Sequence, residues 1–184
     1  ALSAPQQPEC IRAIHAAARC MDTDYRIIAD DCEYVLGLHG PHQRQNAALA
    51  LAALRALPHF LASEAEIARG LAEVQWPGRF EEIAPQVIMD GAHNPPAIHV
   101  LVESWRQAYG GQQARCIYAG SADKALDEVL SLLSPIVSEW VLPPVQSPRI
   151  LPPGEMACKV SAVSSAPVST PSTLAEALAE LPPH

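Results

Sequence analysis

The chain has 184 residues, 49% of them hydrophobic, with 12 Lys and Arg against 20 Asp and Glu and a formal net charge of −8. That is enough apolar content for one domain or two small ones, and the acidic balance argues against a nucleic acid held through its phosphate backbone. The longest apolar stretches, such as residues 47–54, fall far short of a membrane span, and residues 1–7 lack a signal-peptide pattern. A cytoplasmic protein with no membrane or nucleic-acid partner is therefore expected.

In chain order, Pro8 suits a first helical turn, and Ile11, Ile14, Ala17 and Ala18 follow at helical spacing. Residues 25–29 and 33–38 alternate or run apolar around Asp30 and Asp31, which predicts two short strands or a hairpin. After the Gly40-Pro41 break, an alanine- and leucine-rich helix is expected over 43–57. Ser63 with Glu66 forms a capping box for a further helix over 64–73. The stretch Trp76-Pro77-Gly78 cannot continue a helix and reads as a linker, so a domain boundary falls there.

Beyond it the pattern alternates: strand 86–90, helix 96–109, strand 114–119, helix 123–133, strand 137–142, a proline-rich loop 143–154, strand 158–163 and helix 172–180. Such alternation predicts an α/β domain built on a parallel sheet covered by helices. Proline and serine make "PPVQSPRILPPGE" and "SSAPVSTPST" read as loops, Arg149 included.

The five cysteines are widely spaced and odd in number, which suits reduced, mostly buried thiols better than a zinc site. His39 and His42 have no acidic or thiol neighbours in the sequence that would complete a metal site, so no metal is expected here.

The segment 79–101, "RFEEIAPQVIMDGAHNPPAIHVL", carries the densest chemistry. A short apolar run, read as a buried strand, ends at Asp90, and Asn94 followed by Pro95 is a helix start. In an open α/β sheet, the turn from a strand end into a helix is where ligands bind, beside free N–H groups and a positive dipole. Asp90 and His93 are therefore site candidates. Taken alone, the same acid and amide also serve simply as turn and cap groups.

Three landmarks occur in order: "GPHQRQNA" at 40–47, "WPGRFE" at 76–81 and "MDGAHNP" at 89–95. Together they resemble the carboxyl-terminal part of the folylpolyglutamate synthase and dihydrofolate synthase family, within the Mur ligase group. "SADKALDEVLSLL" and "SPRI" extend the resemblance, which runs from about Gln6 to Arg149. It implies a Rossmann-like, mostly parallel carboxyl-terminal domain preceded by a mainly helical tail of a central ATPase domain. The corresponding boundaries are 1–75 for that tail, 76–82 for a hinge and 83–184 for the ligase domain.

The resemblance further implies a ligase that uses ATP and Mg²⁺ to join glutamate to a folate-type acid through an acyl phosphate. Carried over by position, Asn46 becomes an adenine contact and Arg79 a contact to the nucleotide phosphates. Asp90 becomes a ribose contact or a partner of the hinge, and His93 faces the cleft where the amino acid enters. Amide, guanidinium and carboxylate each suit those tasks by their donors and acceptors.

Two features depart from the family. No glycine-rich phosphate loop ending in Lys and Ser/Thr is present, and Ala125 stands where a second acid is usual. The Mg²⁺ ligands and folate-binding loops of the family belong to its upstream part. The chain alone is accordingly expected to be inactive. The alternative is a non-catalytic module whose residues 1–73 expose Ile11, Ile14 and Leu51 to a partner chain or to a second copy. A dinucleotide-binding oxidoreductase is disfavoured, because no glycine fingerprint follows any predicted strand.

Overall fold

The structure is a computed structural model, and it describes residues 1–59, 62–122 and 125–179. Two compact units are present, Ala1–Trp76 and Pro77–His184.

In the first unit, β1 (Leu2–Ser3) and β2 (Arg26–Ile27) pair in parallel, with α1 (Pro8–Cys20) as the connection. Pro8 does occupy the first helical position of α1. α2 (His42–Arg55) buries Ala47, Ala48 and Leu51, which share one face by their spacing. α3 (Glu64–Glu73) starts at the expected capping box: Ser63 Oγ accepts from Glu66 N at 3.3 Å, and Ser63 N donates to Glu66 Oε2 at 2.8 Å. Cys32 and Ile67 complete this small core, and Tyr34, Leu36 and Leu71 pack against it.

Two expectations for this unit fail. Residues 33–38 form no strand, and the predicted strand 25–29 shrinks to two residues paired with the chain start. The backbone of this segment is bound to helices instead: Cys32 N donates to Arg44 O at 3.2 Å, and Gly37 N donates to Leu71 O at 2.8 Å. Its apolar alternation reflects packing of Tyr34 and Leu36 on the core rather than membership of a sheet. Leu51, expected to be exposed, lies in the core at 6% exposure, while Ile11 and Ile14 are half-buried.

In the second unit, β3 (Glu81–Ala84) and β4 (Val87–Met89) form an antiparallel hairpin that turns at Pro85 and Gln86. The predicted buried strand at 86–90 is therefore a hairpin arm, with Val87 and Ile88 half-buried and Met89 exposed. Gln86 has φ 63°, which closes the turn tightly enough to bring Ala84 opposite Val87. α4 (Pro95–Tyr109) follows, with Asn94 as cap and Pro95 in its first turn, as expected.

The parallel sheet is β5 (Ala114–Ile117), β6 (Val137–Val141) and β7 (Val168–Ser169), in that order. α5 (Leu126–Leu133) crosses between β5 and β6, and α6 (Pro153–Val163) crosses between β6 and β7. A strand was expected at 158–163. The segment is helical because Pro153 opens a turn and Met156 and Val160, four residues apart, are both fully buried. The third strand lies in the stretch read as a linker, where Trp140 N donates to Pro167 O at 2.8 Å.

α7 (Leu174–Ala179) ends the described chain. The expected helix start at 123 and helix end at 180 lie outside the described residues. Ile98, Leu130, Trp140, Met156 and Val160 form the centre of the second core. Each such fully buried side chain contributes about 1.5–3 kcal/mol of transfer free energy. The cysteine expectation is also corrected: Cys10, Cys20 and Cys158 are exposed and only Cys32 is buried outright. They lie on helical faces that no neighbouring element covers, which composition cannot show. No helix is long and apolar enough to cross a membrane among the described residues.

Candidate functional site

The turn that leaves β4 is stitched to the linker that precedes β3. Asp90 Oδ2 accepts from Phe80 N at 2.8 Å, and Oδ1 accepts from Ala92 N at 2.7 Å. Gly91 N donates to Gly78 O at 2.9 Å, and Gly78 N donates to Glu81 Oε2 at 2.7 Å. Linker and turn thus form one hydrogen-bonded body. Gly78 takes φ 71°, a conformation open to glycine at little steric cost.

Phe80 takes φ 49°, a left-handed conformation that costs a non-glycine residue about 1–3 kcal/mol. Its surroundings hold it there. The side chain is buried to 5% exposure, with ring centroids of Trp105 and Tyr109 at 6.5 and 6.4 Å, while Asp90 holds its N–H. Arg79, between these two fixed residues, is exposed, and its guanidinium has no partner among the described residues. The arrangement presents an arginine from a rigid base, and a guanidinium so presented suits a phosphate or carboxylate.

His93 Nδ1 lies 2.9 Å from Gly91 O. A carbonyl only accepts, so Nδ1 carries the proton and the neutral ring keeps its lone pair on Nε2. His93 also lines a cleft of about 240 Å³ with Ala92, Tyr118, Gly120, Ser121 and Leu126. This cleft opens where β5 ends, at the carboxyl edge of the parallel sheet, the usual ligand position in such folds. The segment 120–122 is held by a bridge between Ser121 and Ile150 and by Leu151 N donating to Gly120 O at 3.0 Å.

Arg79, Asp90 and His93 therefore come together around one turn, and Asn46 lies in the first unit on α2. Asn46 is exposed, and its Nδ2 donates to Gln43 Oε1 at 3.1 Å. Sequence reasoning missed Phe80, Tyr118 and Ser121. The available signal was the Gly120-Ser121 pair directly after an apolar strand. Among the described residues no group of three or more His, Cys, Asp or Glu could hold a metal ion.

The Mur ligase, glutamate ligase domain model matches residues 78–182. A dihydrofolate synthase/folylpolyglutamate synthase of Bacillus subtilis is 33% identical over 106 residues, which are 54% of this chain and 24% of the relative. The enzyme of that name from Mycobacterium tuberculosis is 34% identical over 125 residues, 63% of this chain and 25% of the relative. A structure of Mycobacterium tuberculosis folylpolyglutamate synthase complexed with ADP superposes with a TM-score of 0.82 at 24% identity. That match covers 97% of this chain and 46% of the other. The match to the curated relatives thus spans about a quarter of their length. With the glutamate ligase domain matched over more than half of its residues, the chain belongs to the Mur ligase family.

Proposed function

We propose that this chain is the carboxyl-terminal portion of an ATP-dependent acid–amino-acid ligase that adds glutamate to a folate-type carboxylate. In that reading residues 1–75 end a nucleotide-binding domain, 76–82 form the hinge and 83–184 form the ligase domain. Support comes from the matched family domain and from the order of the three landmark segments. The observation that carries the proposal is the Asp90 to Phe80 hydrogen bond, which fixes the segment that presents the exposed Arg79.

The acceptor carboxylate attacks the γ-phosphorus of ATP, forming an acyl phosphate and releasing ADP. The glutamate amine then attacks the acyl carbon, loses a proton and displaces phosphate, leaving an amide. Arg79 would meet the phosphate charge that grows during transfer, where a placed cation is most effective. Asn46 would meet adenine. Asp90, with both oxygens already accepting backbone N–H groups, fits the hinge role better than the ribose contact. His93 would face the entering amino acid from the cleft wall, with Nε2 available as an acceptor. Mg²⁺ would supply charge neutralisation on the phosphates, and its ligands are not assigned to these residues.

The test is glutamate-dependent ADP release by the natural product of this gene on a folate-type acid, with Arg79→Ala beside it. Turnover is expected to fall about 100-fold or more, which corresponds to a few kcal/mol of lost transition-state stabilisation. Normal turnover with normal folding removes Arg79 from the mechanism. The 184-residue chain alone has no loop to align the γ-phosphate, so ligation by it would overturn the assignment of roles.

A second reading, a non-catalytic interaction module, draws on the exposed Met21, Val35, Leu57 and Trp76 of the first unit, at 76%, 77%, 56% and 62%. A contiguous exposed apolar patch marks an interface, whereas scattered apolar side chains are ordinary, so this reading requires these four to share one patch. A stable homodimer without nucleotide binding would favour it.

A further inference from the structure

Tyr118 follows directly on β5, and the ligase reading above gives it no task. Its N–H donates to Val141 O at 2.9 Å, which carries the β5–β6 ladder one residue further. By strand alternation its side chain lies on the same sheet face as Cys116, and both pack against the second core. The Tyr118 ring meets Trp140 edge to face, with centroids 6.0 Å apart and planes at 85°. It also lines the cleft that His93 lines.

Two residues on, Gly120 is buried. A Cβ at Gly120 would collide with the Tyr118 hydroxyl oxygen and lie 2.9 Å from Cζ and 3.0 Å from Cε1. All three atoms belong to one side chain, and they are the nearest that the Cβ would meet. Gly120 has no positive φ, so an alanine here contests the space of the ring and not the backbone conformation. The Gly120 backbone is itself held, because its O accepts from Leu151 N at 3.0 Å and Ser121 bridges to Ile150. The ring is thus folded back on its own chain and braced by Trp140.

A braced ring makes a wall of fixed position. The cleft measures about 240 Å³, below the roughly 300–1,000 Å³ of pockets for drug-sized ligands, which suits one amino acid. Leu126, Val129 and Ile150 add hydrocarbon to the lining. Packed surroundings resist even one added methylene, and such a wall discriminates by bulk without any charge. We propose that Tyr118, kept in place by the missing side chain of Gly120, is a specificity-determining residue that bars amino acids longer than glutamate from the cleft. This rests on the reading of the cleft as the place where the amino acid enters.

The test has two parts. The first is the ratio of kcat/KM for glutamate to that for α-aminoadipate, one methylene longer, measured on the natural product of this gene. Tyr118→Val removes the ring with a residue suited to a strand end, and it is expected to lower that ratio roughly tenfold. The ratio of glutamate to aspartate, one methylene shorter, is expected to change far less, because a wall excludes only what is too long. Tyr118→Phe keeps the ring and is expected to keep both ratios. The second part is a double-mutant cycle in urea without substrate: Gly120→Ala should lower the unfolding midpoint beside Tyr118 and leave it nearly unmoved beside Tyr118→Val.

The outcomes separate the inference from the reading beneath it. A wild type that ligates glutamate, with a glutamate to α-aminoadipate ratio unmoved by Tyr118→Val, overturns the inference and leaves the ligase reading standing. Equal collapse of both ratios would assign Tyr118 a structural role only and overturn it as well. A cycle without coupling refutes the bracing by Gly120. A wild type that ligates no amino acid while the cycle shows coupling overturns the ligase reading, and the size limit falls with it.

Discussion

The carboxylate of Asp90 accepts the backbone N–H of Phe80 at 2.8 Å, ten residues back along the chain, and so joins the turn after β4 to the linker that carries Arg79. Its other oxygen holds Ala92 N at 2.7 Å, so one side chain satisfies two part-buried donors. Hydrogen bonds to a charged group contribute more than neutral ones. Asp90→Ala leaves both donors unmatched and is expected to lower stability by about 2–3 kcal/mol. Asp90→Asn keeps one acceptor and should cost roughly half as much, because its amide nitrogen faces an N–H. Urea unfolding measures both, and an alanine variant as stable as the wild type would show that the bond is dispensable.

Gly37 lies where the 33–38 segment crosses the end of α3. A Cβ there would come within 2.6 Å of Val74 O and 3.2 Å of Ala72 C, both main-chain atoms that cannot rotate away. Gly37→Ala must displace the segment and break the bond from Gly37 N to Leu71 O. A loss of about 2 kcal/mol or more is expected, at the upper end for overpacking. Hydrogen exchange should report it as faster exchange at Gly37 and across residues 32–38. An unchanged exchange pattern contradicts the close approach.

Tyr34 donates to Glu64, whose second oxygen accepts from Arg55 at 3.3 Å. The Tyr34 hydroxyl, more than the Arg55 cation, holds the Glu64 carboxyl below its ordinary 4.5, against a desolvation effect that raises it. The same bond, with a smaller contribution from burial, pushes the Tyr34 phenol above 10.0. A lowered acid stabilises the fold above its unfolded value, and that contribution is lost as pH falls through the folded one. A raised phenol stabilises below 10.0, and its contribution is lost as pH rises through the folded value. The attachment of this segment should therefore weaken at both extremes. Glu64→Gln is expected to bring the Tyr34 titration, followed by NMR, back toward 10.0, and an unmoved titration would assign the shift elsewhere.

The five thiols should separate by reactivity. Cys10, Cys20 and Cys158 are exposed, Cys32 is buried, and burial pushes the Cys116 thiol on β5 up to about 12. At pH 8 only roughly one Cys116 in ten thousand is then thiolate, the reactive form. Brief alkylation of the folded chain is expected to add three labels, at residues 10, 20 and 158, and alkylation in denaturant five. Early labelling of Cys116 in a mass-spectrometric time course would contradict its enclosure.

Much of the local structure was legible because its causes are local. Ser63 with Glu66, Asn94 with Pro95, and Pro8 each begin a helix through atoms within one turn of themselves. The helical spacing of α1, α2 and α4 needed no knowledge of partners. Arg79, Asp90 and His93 could be named because their residue types and order match a family, before any geometry was known.

Only the tertiary structure decided what those residues do to one another. Val87–Met89 became a hairpin arm because Gln86 closes a turn onto β3, and residues 158–163 became helix because Met156 and Val160 share a buried face. β7 has two residues, too few to show any period, and exists through its pairing with β6. Phe80 holds a conformation its own sequence disfavours, since Asp90, Trp105 and Tyr109 surround it. Local rules act through covalent neighbours, whereas strand pairing, the cleft at Ser121 and the support beneath Arg79 depend on which distant segments the cores bring into contact.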